Sequence, residues 1–195
     1  MILLLAIVTG LLAGFGWARY YNRSYQPPDL RYFWLVFIAF LPQFIAVYLP
    51  FTRERTPDWL AAISVLTSQI LLLAFAWLNR HLPGMPILIL GSALNLAIMV
   101  ANGGFMPISL QTARRLVPEE VLLDISLGDR FGTKDILLLP ENTHFEWLAD
   151  RFLPPSWSPY QVAFSLGDVL IAIGVFWLLA YQRKPEYSMN KGALS

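Results

Sequence analysis

The sequence predicts an all-α integral membrane protein, with five transmembrane helices and a small helical extracytoplasmic cap between helices 4 and 5. All of it falls in one membrane domain of 195 residues. Three observations predict this. Only 14% of residues are charged while 56% are hydrophobic, and the mean hydropathy is +0.53. Soluble chains carry about 25% charged residues, so this chain cannot supply a polar surface on every side. Five apolar stretches approach the roughly 20 residues that cross about 30 Å of hydrocarbon. Finally, the density of Lys and Arg alternates from one connecting loop to the next.

The five stretches are Met1–Trp17, Tyr32–Phe51, Trp59–Leu78, Met85–Phe105 and Tyr160–Tyr181. Asp168 is the one charged residue inside any of them. The first stretch lacks the basic start and polar cleavage region of a signal peptide, which makes it a retained helix. Small residues at helical spacing, Gly10 with Gly14 and Ala163 with Gly167, allow close approach of helices within the bundle. The five spans do not divide into the two matching halves of an inverted-repeat transporter.

Orientation follows from the tendency of basic residues to stay cytoplasmic. Arg19, Arg23 and Arg31 lie between spans 1 and 2, Arg80 between spans 3 and 4, and Arg183, Lys184 and Lys191 in the tail, opposed only by Asp29 and Glu186. The other face carries as many basic residues, but over a much longer stretch that also holds ten acids. This places the N-terminus outside, the C-terminus in the cytoplasm, and the segment 106–159 outside. Tyr20, Tyr21, Trp34, Trp59, Trp77 and Trp177 stand where aromatic belts meet the membrane surface.

Segment 106–159 is too long for a simple connection. Pro118 before Glu119 and Glu120 suits the first turn of a helix, where proline loses no hydrogen bond and acids complement the helix dipole. Leu127 to Gly132 reads as a turn. Thr143 and Glu146 form a T-x-x-E capping box, followed by Phe145, Leu148 and Phe152 on one helical face, with Pro154 and Pro155 ending that helix.

Several classes of chemistry are excluded. With no cysteine there is no disulfide, thiol nucleophile or Cys-ligated metal, and the net charge of +1 offers no field for nucleic acid. His81 and His144 fall on opposite sides of the membrane and cannot share a metal. No cofactor is expected. The partners expected are the lipid bilayer and other membrane proteins.

The candidate site centres on Asp168. An ionisable group within a span costs roughly 2.5–3.5 kcal/mol on insertion scales, and it normally faces protein or water. Counting from Tyr160 at about 1.5 Å per residue puts Asp168 about 12 Å below the outer start of its helix. Asn102, Gly103, Gly104 and Pro107 break span 4 at a similar depth, and such a break needs protein or water to satisfy its backbone. The prediction is an outward-facing polar pocket built from Asn102, Gly103, Asp168, Gln43 and Asp150. Interhelical hydrogen bonding alone explains the polar residues Gln43, Gln69, Asn95 and Asn102 equally well.

The runs Ala101-Asn102-Gly103-Gly104-Phe105-Met106-Pro107, Leu127-Gly128-Asp129-Arg130, Trp147-Leu148-Ala149-Asp150 and Phe164 to Gly174 resemble an uncharacterised bacterial family of five-span membrane proteins, a domain of unknown function. That resemblance implies the architecture and the plasma-membrane location, and no activity. Phe164 to Gly174 is also similar to the last-helix motif of signal peptidase II, an aspartyl protease whose F-N-x-A-D run supplies one catalytic aspartate. Here Ser165 replaces the Asn and Gly167 the Ala. The resemblance implies Asp168 as a catalytic acid. The N-x-x-D-R run that carries the second aspartate is missing from span 4, and Asp129-Arg130 and Asp150-Arg151 keep only its last dipeptide. Asp150 would have to fold back to complete a dyad, since an aspartyl mechanism needs two carboxylates sharing a proton. The functions that follow are a non-enzymatic subunit or assembly factor of a membrane complex, a signal-peptidase-II-like aspartyl peptidase using Asp168 and Asp150, or a small-molecule or lipid-binding protein.

Overall fold

The computed structural model describes residues 2–53, 55–155, 157–158 and 161–182. The expected span boundary at Tyr160, the proline at 159 and the tail residues Arg183, Lys184, Glu186 and Lys191 lie outside the described residues. The chain is mostly helical. Its long helices are α1 (Ile2–Tyr20), α2 (Trp34–Gln43), α4 (Asp58–Leu78), α5 (Met85–Ala101) and α8 (Leu166–Ala180). Of these, α1 and α4 are long and apolar enough to cross a membrane, and the others are shorter apolar helices.

Each boundary has a local cause. Pro42 lies inside α2 and has no N–H for the preceding turn, and the ladder reopens just after it as a π-helical segment, Phe44–Tyr48, followed by α3 (Pro50–Arg53). The stretch expected to be one span is therefore three joined pieces. Gly84, at φ +84°, turns the chain into α5, whose first turn contains Pro86. Buried Asn79 closes α4 onto the first loop: it accepts from Arg31 N at 2.8 Å and donates to Arg31 O at 3.0 Å.

Helix α8 packs against both α1 and α5, and α4 packs against α2 and α5. The contacts are made by small residues. In α1 the buried positions are Ala6, Gly10, Gly14 and Ala18, one every four residues. A Cβ on Gly10 would sit 3.0 Å from Phe176 O, and one on Gly91 of α5 2.5 Å from Gly167 O of α8. At Gly91 the backbones approach too closely for any Cβ, and at Gly10 a Cβ would be tightly held. Large apolar side chains point the other way, with Leu4 64%, Leu12 67%, Phe37 63% and Trp59 64% exposed. The buried positions of the helices include polar Gln43, Ser68, Ser92 and Asn95.

The cap is not wholly helical, and in this the expectation is corrected. Strands β1 (Met106–Ser109), β2 (Arg130–Phe131) and β3 (Asp135–Leu138) form a sheet of order β1-β3-β2, with β1 parallel and β2 antiparallel to β3. Between β1 and β2 lie the short helices α6 (Leu110–Ala113) and α7 (Glu119–Leu123). Ile108, Ala113, Leu122, Phe131, Leu137 and Ala163 form its core. Pro118 caps α7 with Glu119 and Glu120 in its first turn, as the sequence suggests. The strands are four residues or fewer and uniformly apolar where buried, so they lack the alternation that marks a strand.

A second correction concerns the helix expected after Thr143. Phe145 adopts φ +55°, and only a single 3-10 turn, Glu146–Leu148, follows. The Thr143 hydroxyl donates back to Leu139 O at 2.9 Å instead of capping a helix. Phe152 lies on an extended segment paired antiparallel with Phe164, with N–H donors crossing at 3.0 and 2.9 Å. That pairing also corrects the depth of Asp168. Because residues 161–165 are not helical and α8 starts at Leu166, Asp168 stands in the first turn rather than about 12 Å down the helix.

Candidate functional site

Three polar clusters gather where the cap meets the ends of α5 and α8. The first is a capping box. Asp168 N donates to Ser165 Oγ at 3.1 Å, and Ser165 N donates to Asp168 Oδ2 at 3.0 Å, which satisfies two backbone donors at the start of α8. Asn95 of α5 reaches into this turn, donating from Nδ2 to Asp168 Oδ1 at 2.8 Å and accepting from Ser165 Oγ at 2.9 Å. Ser165 is completely buried and Asn95 nearly so. Gly167 is required here, because a Cβ would collide with Asn95 Oδ1. The Ser-Leu-Gly-Asp run is thus a helix start fitted to an asparagine. Both Asp168 oxygens already accept hydrogen bonds.

The second cluster ties the break after α5 to the cap. Buried Asn102 donates to Ile98 O at 2.7 Å and to His144 O at 3.0 Å, and accepts from His144 N at 3.0 Å. Gly103 and Gly104 take φ +75° and +92°, and the N–H of Gly104 returns to Met99 O at 2.7 Å. Gly104 packs on Ala62, while Gly103 is exposed with open space where its Cβ would be.

The third cluster is ionic. Lys134 precedes β3 and its carbonyl accepts from Met106 N at 2.9 Å. Its ammonium lies 3.1 Å from Asp135 Oδ1 and 2.7 Å from Asp150 Oδ2. Asp150 is fixed from the far side of β1: its N–H donates to Pro107 O at 3.1 Å and it bridges Ile108. Proline at 107 offers no N–H, only that acceptor. The Asp150 side chain is 1% exposed, against 17% for Asp135 and 28% for Lys134. Burial pushes the Asp150 carboxyl up to about 7, the charges of Asp135 and Asp168 push the same way, and Lys134 opposes them. Burial also raises Asp135, again against Lys134. Burial pulls Lys134 down, but Asp135, Asp150 and Asp168 outweigh it and hold the ammonium above its usual value.

Of the residues singled out from the sequence, Asp150 and Asp168 are brought within each other's field. Gln43 is buried on α2, and Asn102 spends its carboxamide on His144; among the described residues no hydrogen bond joins either to Asp168. Lys134 and Asp135 were not anticipated as site residues. The signal available was one of only three lysines standing beside an acid, ahead of the apolar run Ile136 to Leu139. The Asp129-Arg130 dipeptide is a clamp: Arg130 pairs with Asp58 at 2.7 Å and donates to Thr56 O at 3.0 Å, while Arg53 donates to Gly132 O. Among the described residues no group of three or more His, Asp or Glu side chains is arranged to hold a metal ion.

This is a mostly helical chain whose short sheet is joined to the helix ends by buried polar clusters. It belongs to a family of unknown function, DUF5317, whose profile matches residues 28–180 and so takes in every site residue above. It is 31% identical over 144 residues to an uncharacterised protein of Thermotoga maritima, a match covering 71% of this chain and 73% of that one. No solved structure matches.

Proposed function

We propose that the chain is a multi-pass protein of the bacterial plasma membrane, with its N-terminus and cap outside and its C-terminus in the cytoplasm, serving as a non-enzymatic subunit or assembly factor of a membrane complex. The observation that carries the membrane reading is the inverted burial of the helices. Small and polar side chains take up much of the interior where backbones approach, beside a few large ones such as Ile98 and Met99, while many Leu, Ile, Phe and Trp side chains face out. Leaving that much apolar surface in water costs about 25 cal/mol per Å², whereas lipid accepts it. Exposed Trp17, Trp34, Trp77 and Trp177 all fall at the helix ends assigned to the cytoplasmic surface, as an aromatic belt requires. Helices α5 and α8, roughly 25 and 22 Å long at 1.5 Å per residue, fall short of the bilayer. In their non-helical continuations Asn102, Gly104, Phe105, Ala163 and Ser165 are buried in protein, where such backbone is tolerated at membrane depth.

The subunit reading is supported by how the polar groups are used. Asp168 and Asn102 are committed to holding the chain together, and exposed Phe145, Trp147, Phe152 and Trp157 give the cap an apolar face for a partner. The test is extraction of the native protein in mild detergent, followed by mass spectrometry of whatever co-purifies at fixed ratio. A stoichiometric membrane partner is expected; a protein that purifies alone contradicts the subunit reading.

One observation favours the peptidase alternative: the Asp150 carboxyl, pushed up to about 7, lies in the field of both Asp135 and Asp168. In that case Asp150→Asn and Asp168→Asn each abolish lipoprotein processing in a folded protein. Undiminished processing in either variant ends that alternative.

A further inference from the structure

Two carboxyl groups converge on the single ammonium of Lys134, which reaches one oxygen of each. Asp150 Oδ1 is buried and unpartnered, although the other oxygen of the same group is 2.7 Å from Lys134. The nearby backbone N–H groups are already used, Met106 N on Lys134 O and Asp150 N on Pro107 O. With both acids ionised, Lys134, Asp135 and Asp150 carry a net negative charge that Asp168 reinforces. A buried carboxylate oxygen without a donor is among the costliest polar groups a protein holds. A proton removes both difficulties, because a protonated carboxyl is a donor and carries no charge.

We propose that Asp150 is a proton-holding site: it keeps one proton on its buried oxygen and donates it to the ionised carboxylate of Asp135, so that with Lys134 the three form a neutral latch that holds the segment at Asp150 against β1 and β3 within the cap. The charged groups facing it are Lys134 and Asp135 from the start of β3 and Asp168 from the first turn of α8. Helix α5 and strand β1, which pack together, carry no ionisable side chain. Lys134 and Asp135 are partly exposed and give the proton its way in and out. The site goes beyond the subunit reading and does not depend on it.

The sign of the pH dependence follows. In the latched state Asp150 holds its proton up to about pH 7, whereas in an opened cap it loses it near the ordinary carboxylate value. The latched state therefore binds more protons between these limits, so the latch is strongest in acid and weakens as pH rises towards 7. With one proton at stake, the opening constant grows by up to about tenfold per pH unit in that window and levels off above it.

The experiment uses the full chain in lipid nanodiscs. Amide hydrogen exchange of β1 and β3, corrected for intrinsic exchange, reads opening from pH 5 to 9, and infrared spectroscopy reads the carbonyl stretch of protonated carboxyls over the same range. The wild type is expected to lose protection between pH 5 and 7 and to lose a protonated-carboxyl band near pH 7. In Asp150→Asn, whose amide is neutral at every pH, the exchange profile is expected to be flatter than that of the wild type and the Asp150 band absent. If Asp150→Asn does not fold, Asp135→Asn is used: it leaves Asp150 without its carboxylate acceptor and is expected to move the band of the wild type. Absence of a titrating carboxyl band in the wild type, or the same exchange profile in wild type and Asp150→Asn, overturns the proposal.

Discussion

Asn95, two turns from the end of α5, donates to Asp168 Oδ1 at 2.8 Å while accepting from Ser165 Oγ at 2.9 Å, so one side chain holds both members of the capping box that starts α8. Asp168 thus stabilises a helix start and a helix crossing at once. Asp168→Ala removes the acceptor of both Ser165 N and Asn95 Nδ2, and is expected to cost about 1–3 kcal/mol. Asp168→Asn keeps one acceptor and is expected to cost less. For a chain of this length the thermal midpoint moves by about 2–4 °C per kcal/mol, which thermal unfolding in detergent measures. Equal midpoints for wild type and Asp168→Ala contradict the structural role.

The α5–α8 crossing depends on glycine. A Cβ at Gly91 would stand 2.5 Å from Gly167 O, so Gly91→Ala forces the two backbones apart and is expected to cost about 1–3 kcal/mol. Gly16 in α1 faces open space, so Gly16→Ala is expected to leave stability unchanged or to raise it by up to about 1 kcal/mol. Both are read from thermal midpoints in the same detergent, and a reversed order contradicts the packing.

Asn102→Ala releases the cap at His144. It removes two hydrogen bonds to that residue's backbone and leaves its N–H and carbonyl unpaired, a loss of about 1–3 kcal/mol. The loss is local, so the expected result is faster amide exchange and proteolysis around Thr143–Leu148 with α1 unaffected. Unchanged protection of that segment overturns the assignment.

What the sequence disclosed followed the strength of its local signals. The glycine break at Asn102–Gly104 and the Pro118-Glu119-Glu120 helix start are present where the residues placed them, and the apolar runs are mostly helical, though the second is divided after Pro42 and the last becomes helical only at Leu166. The cap sheet was not legible, because parallel pairing of β1 with β3 joins residues about 30 positions apart and such short strands carry no alternation. The T-x-x-E pattern at Thr143 misled for a related reason: Asn102, distant in sequence, takes the backbone of His144, and Phe145 turns left-handed beside it. Asp150 and Asp168 were identifiable as acids of interest, yet the lysine that pairs with Asp150 stands just before a strand the sequence does not announce. Their convergence is a property of the tertiary fold.

Cysteine labelling reads directly whether the helices are set in the membrane with the cap outside, because the chain has no cysteine of its own. Ser126 lies exposed on the cap and Ser24 exposed in the loop after α1. With a membrane-impermeant maleimide on intact cells, Ser126→Cys is expected to label at once and Ser24→Cys only after permeabilisation. Labelling of Ser24→Cys in intact cells, or recovery of the protein in the fraction free of membranes, contradicts the account.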